Sequence, residues 1–219
     1  MNDSTTYPLY LFAKVPHPGR VKTRMQPHLS AQQSAALAEV MLERSMQKVR
    51  TFWPGKRVLC VAPDHNHPLI RRLGDTYEFE TQSQVGTNLG EKMANALGQG
   101  INRFSGAAVL GCDVPHLPGA LLSECYQSML DGQNVIGPAL DGGFYLLGLC
   151  SVDQGIPAQL FKDLVWGESA VFTGLAANAR RVRTEFRELS TLRDVDNYRD
   201  LEAIAGQDPC FQAFLTRGG

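Results

Sequence analysis

Short, continuous apolar runs alternate along the chain with longer segments whose apolar residues recur every three or four positions, and polar loops separate the two kinds. Leu9-Tyr10-Leu11-Phe12-Ala13 has strand length and no charged position, which predicts a first strand buried on both faces. A loop rich in Pro, Gly and basic residues runs from Lys14 to Pro27. Ser30 with Gln33 three residues later makes a capping box. It opens a long helix whose apolar positions Leu37, Val40, Met41 and Val49 follow helical spacing. A second strand is expected over Arg57 to Ala62, then a short helix from His67 to Leu73 with Pro68 in its first turn. A more polar third strand over Tyr77 to Thr81 and a helix from Leu89 to Phe104 come next. Ala107 to Leu110 reads as the fourth strand and Ala120 to Leu130 as the helix after it. Asn134 to Ala139 and Phe144 to Cys150 are two strands too close together for a parallel crossover, so an antiparallel pair is expected. A helix over Ser169 to Ala179, a strand over Val182 to Phe186 and a short helix beginning near Asp196 complete the pattern.

This alternation predicts an α/β fold, a three-layer sandwich with a mostly parallel sheet and an antiparallel insertion late in the chain. No Ser/Gly/Pro-rich or single-charge block interrupts the apolar pattern, so one domain over residues 1–219 is expected. With 21 basic and 22 acidic residues, no global field favours nucleic acid or an anionic membrane. The five cysteines (Cys60, Cys112, Cys125, Cys150, Cys210) are scattered without a CxxC pair and read as reduced thiols, neither a disulfide frame nor a zinc site. The run from Tyr7 to Ala13 is too short for a signal-peptide core, and polar Asn2-Asp3-Ser4 precedes it. No stretch reaches membrane-spanning length, and a soluble cytoplasmic protein is expected. Nothing in the sequence specifies an oligomeric state.

Five clusters carry candidate chemistry. Lys14-Val15-Pro16-His17-Pro18-Gly19-Arg20-Val21-Lys22-Thr23-Arg24 follows the first strand, where ligands gather in open α/β sheets. Four cations in eleven residues, stiffened by two prolines and opened by Gly19, suit a polyphosphate: Arg supplies forked donors and Lys a point charge. The bland alternative is a solvated basic loop. Neither GxxxxGK[ST] nor GxGxxG is present, so no Walker loop or dinucleotide fingerprint is indicated. In Gln84-Val85-Gly86-Thr87-Asn88-Leu89, Gly86 and Asn88 either approach a nucleotide or make ordinary turn and N-cap chemistry. Gly111-Cys112-Asp113 sets one carboxylate at the end of the fourth strand, where it either holds a divalent cation or caps the next helix. Asp113 also acts to raise the Cys112 thiol pKa, which argues against a reactive thiolate. Asp141-Gly142-Gly143 either faces an acceptor or makes a tight hairpin. In Asp194-Val195-Asp196-Asn197 either aspartate can complete a metal site with Asp113, or cap the last helix. Trp166, beside Gly167 and Glu168, stands near a substrate or packs as core. His65 and His67 lack a third ligand.

Taken together, Lys14-x-Pro-x-Pro-Gly19-x-Val-Lys22-Thr23-Arg24, Gln84 to Met93, Gly111-Cys-Asp113-x-Pro115-x-Leu117, Gly137-Pro-Ala-x-Asp141-Gly-Gly-Phe-Tyr145, Trp166 and Asp194-Val-Asp196 resemble a known group. It is the bacterial family of small GT-A-fold transferases labelled by a domain of unknown function, related to 2-phospho-lactate and molybdenum-cofactor guanylyltransferases. The chain departs from that pattern at Asn88, where Asp is expected, and at Leu140, where a polar residue is usual. The resemblance implies the nucleotide-diphospho-sugar transferase fold, with a Rossmann-like nucleotide half over about residues 1–118 and an acceptor half over about 119–219. It implies a nucleoside triphosphate or nucleotide-sugar substrate, a small-molecule acceptor, and Mg²⁺ or Mn²⁺ held by Asp113 and Asp196. Lys14, Gly19, Arg20, Lys22, Thr23, Arg24, Gly86 and Asn88 are then expected at the nucleotide. Asp141, Gly142, Gly143, Tyr145 and Trp166 are expected at the acceptor, and Lys22, Asp113 and Asp141 are the expected catalytic residues. Nucleotidyl transfer to a phosphorylated acceptor is the expected reaction, with glycosyl transfer as the alternative.

Overall fold

The structure, a computed structural model, describes residues 6–167, 170–206 and 208–215. Asn2-Asp3-Ser4, Glu168 and the expected helix start at Ser169 lie outside the described residues. The apolar runs become the strands β1 (Leu9–Lys14), β2 (Arg57–Ala62), β3 (Glu80–Ser83), β4 (Gly106–Gly111), β5 (Val135–Pro138), β6 (Phe144–Cys150) and β7 (Arg187–Glu188). They form one seven-stranded sheet in the order β3-β2-β1-β4-β6-β5-β7. β1 pairs in parallel with both β2 and β4, while β6 runs antiparallel to β4 and β5. The expected antiparallel pair is therefore the one inserted into an otherwise parallel sheet.

Continuous apolar strands are explained by what covers them. Leu9, Leu11 and Ala13 of β1 face one core with Leu42, Met46 and Val49 of α1 (Ala31–Phe52), Leu73 of α2 (Pro68–Tyr77) and neighbours from α4 (Gly119–Leu130). Tyr10 and Phe12 face the opposite core with Met93, Leu97 and Ile101 of α3 (Leu89–Phe104), Leu160 of α5 (Ile156–Leu160) and Leu175 of α6 (Val171–Arg181). Period-two side chains on a strand thus feed two helical layers, which is the α/β/α sandwich. A third cluster joins the far face of α1 to α7 (Tyr198–Ala205) and α8 (Pro209–Leu215), with Met25 and Val195 buried between them. The Ser30–Gln33 capping box forms as expected. No described helix is long and apolar enough to cross a membrane.

Two strand expectations shift. Tyr77 ends α2, and Glu78 in a left-handed conformation (φ 60°) caps it, so β3 starts at Glu80. Phe79 enters the core instead of alternating along a strand. The residues from Val182 to Phe186 follow α6 as packed loop, and only Arg187–Glu188 pair, in parallel with Val135 and Ile136. Arg183 (φ 53°) turns the chain there.

Gly137 of β5 lies against the Tyr145 ring: a Cβ there meets the ring at 2.3 Å. Gly137→Ala is expected to cost about 1–3 kcal/mol through overpacking, read as a lower urea midpoint with an unchanged m-value.

Candidate active site

Because β1, β2 and β4 run parallel, their carboxyl ends share one rim of the sheet, and a cleft of about 550 Å³ opens there. The loop after β1 enters it. Val21 and Met25 anchor this loop in the core, and Gly19 supplies a positive φ of 75°. Between the anchors Lys22 adopts left-handed backbone angles (φ 48°, ψ 38°) ahead of a 3₁₀ turn over Thr23–Met25. That conformation costs a non-glycine residue about 1–2 kcal/mol, so tertiary contacts must hold it.

They do so through the ammonium. Lys22 Nζ donates to Asp113 Oδ1 at 2.5 Å, to the Val195 carbonyl at 2.6 Å and to Asp196 Oδ1 at 3.3 Å, and its side chain is only 10% exposed. Burial works to lower its pKa, but the Asp113 and Asp196 carboxylates outweigh burial and raise it above the ordinary lysine value. Asp196 Oδ2 also accepts from Arg24 at 3.4 Å. Lys14 and Arg20 are exposed along the same cleft and form no ion pair among the described residues.

Backbone bonds bring the aspartates together. Val195 N–H donates to the Asp113 carbonyl at 2.9 Å, while Leu140 N–H donates to the Leu192 carbonyl at 2.9 Å. The segment from Leu192 to Asp196 is thereby stitched between the end of β4 and the β5–β6 turn. Asn197, not an aspartate, caps α7, accepting from Arg199 N–H and Asp200 N–H. Asp194 and Asp196 are left free for the cleft. Oxygens of Asp141, Asp194 and Asp196 lie within 4.8 Å of one another, and Asp113 is not in this group. Burial, with Asp141 close by, pushes Asp194 up to about 6. Three hard oxygen donors converge here, Asp141 and Asp194 without an ion pair among the described residues and Asp196 shared with Lys22 and Arg24, and the set fits Mg²⁺ or Mn²⁺. The expected Asp113–Asp196 pair instead has the Lys22 ammonium between its members.

The other expected residues divide. Lys14, Arg20, Thr23, Arg24, Asp141, Gly143, Tyr145 and Trp166 line the cleft; Gly19, Gly86, Asn88 and Gly142 do not. Asn88 caps α3, with Oδ1 accepting from Glu91 N–H at 2.9 Å and Nδ2 donating to Glu91 Oε1 at 3.1 Å. Thr87 N–H donates to the same carboxylate at 2.8 Å. Gly86 (φ 138°) is where Glu91 and the Lys92 amide leave no room for a Cβ. The turn-and-cap alternative therefore describes Gly86 and Asn88. Asp141 Oδ1 accepts from Gly143 N–H at 2.8 Å in a tight turn, with Gly142 at φ 89°. Tyr145 is buried and donates its hydroxyl to the Ser190 carbonyl at 3.0 Å. Trp166 packs with Phe144 and Phe161, its ring against Gly90 of α3. Cys112 has its thiol pushed up to about 12, by burial first and by Asp113 second.

Two contributions were not visible as motifs. Gln84 Nε2 donates to the Ala13 and Cys60 carbonyls at 2.9 and 3.0 Å, clasping the ends of β1 and β2 under the cleft. Phe12, Met41, Leu89 and Met93 form apolar cleft wall, but in sequence they share the periodicity of core residues.

Residues 45–168 match a family described as uncharacterized proteins conserved in bacteria (DUF2064). A candidate nucleotide-diphospho-sugar transferase from Desulfovibrio desulfuricans G20 superposes with a TM-score of 0.83 at 25% identity, covering 96% of this chain and 94% of that one. The manganese complex of Rv0371c from Mycobacterium tuberculosis H37Rv shares the fold at TM-score 0.56 and 14% identity, covering 93% and 100%. So does a CMP:2-keto-3-deoxy-manno-octonic acid synthetase complexed with CTP, at TM-score 0.56 and 7% identity, covering 92% and 98%. No curated protein sequence matches the chain.

Asn88→Ala is expected to lower stability by about 1 kcal/mol in urea denaturation through loss of the α3 cap. Asn88→Ser, which keeps a capping oxygen, is expected to recover most of it.

Proposed function

The chain belongs to this bacterial family, DUF2064, and we propose that it is a transferase that binds a nucleoside triphosphate with a divalent cation and passes the nucleotidyl group to a small acceptor. One observation carries the reading: the end of β1 and the loop after it bring Lys14 and Arg20, without an ion pair among the described residues, to a cleft where three carboxylates converge. Phosphates have fixed positive partners on one side and a cation-holding group on the other. The division of labour runs along the chain, with residues to about 118 serving the nucleotide and those from about 119 serving the acceptor.

Asp141, Asp194 and Asp196 would hold Mg²⁺ or Mn²⁺, which when bound neutralises charge on the reacting phosphate and the departing pyrophosphate. The chain's own residues do the positioning. Lys14 and Arg20 orient the phosphate tail, Arg supplying paired donors. Met93, Phe12 and Leu89 form an apolar wall of the cleft. An acceptor phosphate oxygen attacks the α-phosphorus, the bond to the β-phosphate oxygen breaks, and pyrophosphate carries away the electron pair. A phosphate nucleophile is already ionised, so catalysis rests on orientation and fixed charge.

A second reading, glycosyl transfer from a nucleotide-sugar, has a specific observation behind it. Every Lys and Arg lining the cleft lies between residues 14 and 24, while the acceptor side offers Asp141, Asp194, Phe144 and Trp166. An acceptor hydroxyl finds a carboxylate there to take its proton. In that case the bond to the anomeric carbon breaks and a nucleoside diphosphate leaves.

A thermal-shift screen with Mg²⁺ or Mn²⁺ against nucleoside triphosphates, diphosphates and nucleotide-sugars separates the two, since specific binding to the folded state raises Tm. Metal-dependent stabilisation by a triphosphate supports nucleotidyl transfer; preference for a nucleotide-sugar supports glycosyl transfer; no shift with any of them overturns both. Arg20→Ala is expected to weaken binding of the stabilising nucleotide about tenfold, about 1.4 kcal/mol, while leaving the free nucleoside unaffected in calorimetry.

A further inference from the structure

Lys22 is coordinated as a bound cation would be. An ammonium has three donors, and all three are spent inside the protein, on Asp113, the Val195 carbonyl and Asp196. Its side chain is nine-tenths buried, and its backbone takes left-handed angles between the buried anchors Val21 and Met25. The carboxylates of the cleft are divided as a result. Asp141 and Asp194 gather with Asp196, and Asp113 stands apart, engaged by the ammonium. A divalent ion placed between Asp113 and Asp196 would stand at hydrogen-bond range of the ammonium and be repelled by it, whereas Asp141 and Asp194 have no ion pair among the described residues and lie within 4.8 Å of Asp196.

We propose that Lys22 is a built-in cation that decides which carboxylates are open to a metal. In the nucleotide-free protein its ammonium fills the position between Asp113 and Asp196 and confines a divalent ion to Asp141, Asp194 and Asp196. Phosphates entering the cleft draw the ammonium away, and Asp113 then becomes available as a ligand. Lys22 is in this sense a positioning residue that orders binding, metal site first and Asp113 second. Only the last step rests on the nucleotide reading above; the first is a property of the free protein. Arg24 serves as the internal comparison, since it touches only the outer oxygen of Asp196 and is 71% exposed.

The test is Mn²⁺ binding to the intact, nucleotide-free protein, followed by the electron paramagnetic resonance signal of free Mn²⁺. Asp194→Asn is expected to weaken binding at least tenfold, and Asp113→Asn to change it less than twofold. Lys22→Met is expected to tighten Mn²⁺ about tenfold, a gain that disappears in Lys22→Met/Asp113→Asn. Arg24→Met removes the same charge from outside the pair and is expected to change affinity no more than twofold. Equal losses in Asp113→Asn and Asp194→Asn overturn the proposal, as does a Lys22→Met gain that survives loss of Asp113, or no Mn²⁺ binding at all. If Lys22→Met does not fold, the two aspartate variants decide by the same criterion. With ATP, CTP, GTP and UTP added in turn, Asp113→Asn is expected to lose the Mn²⁺-dependent thermal shift of the wild type; retention of that shift overturns the release step. No shift in the wild type with any of the four removes the nucleotide reading and leaves the metal-binding result standing.

Discussion

A single buried ammonium ties three distant parts of the chain into one cleft. Lys22 reaches Asp113 across 91 positions and Asp196 across 174. A charge withdrawn from water persists only where it is paired and its hydrogen bonds are met. The Lys22 donors meet that condition with no solvent required. The same contacts offset the left-handed backbone at residue 22 and fix the direction in which the basic loop leaves β1. Arg24, one turn on, then meets Asp196 from outside, and Arg20 is left free along the cleft. Without the ammonium, the Asp113 and Asp196 carboxylates face the same small space with no charge between them to offset their repulsion.

The aspartates depend on this tie and on a second one made by the backbone. Residues 192–196 run between the end of β4 and the β5–β6 turn, bonded to both. Asn197 caps α7 through a capping box with Asp200, and Arg193 pairs with Asp200 at 3.0 Å. Helix capping, the ordinary use for an aspartate before a helix, is therefore performed by a neighbour. That leaves Asp194 and Asp196 facing Asp141, and it explains why Asp194 stays protonated to higher pH than a solvated carboxylate.

Signals that are local in sequence were legible. The continuous runs that became β1 and β4, the Ser30–Gln33 box and the short link between β5 and β6 each depend on neighbours within a few residues. The short elements α5, α8 and β7 were not, because they exist only where the rest of the fold packs against them. The same divide runs through the site. Gly111-Cys112-Asp113 and Asp194-Val195-Asp196 could be picked out as chemistry, yet nothing local to Lys22 announces that it turns inward while Arg20 stays in the cleft. Gly86 and Asn88 show the converse: a cap and a nucleotide contact use the same residues, and the structure shows the cap through the Glu91 contacts. Gln84 was singled out only as the start of the Gln84 to Met93 cluster; its clasp of two strand ends has no sequence signature.

The charge balance of the cleft constrains what can enter it. Among the described residues its lining carries four cations, Lys14, Arg20, Lys22 and Arg24, against four carboxylates, Asp113, Asp141, Asp194 and Asp196. Two of the cations are already engaged by aspartates, so the free protein offers a polyanion only Lys14 and Arg20. A triphosphate arriving alone meets two carboxylates without an ion pair among the described residues, Asp141 and Asp194, against those two cations. On the proposed reading, a divalent cation arriving with it offsets Asp141 and Asp194 while the phosphates gain Lys14 and Arg20. The arrangement therefore favours a metal-bound phosphate ligand over either component separately, a coupling built from side-chain placement without any need for the sheet to move.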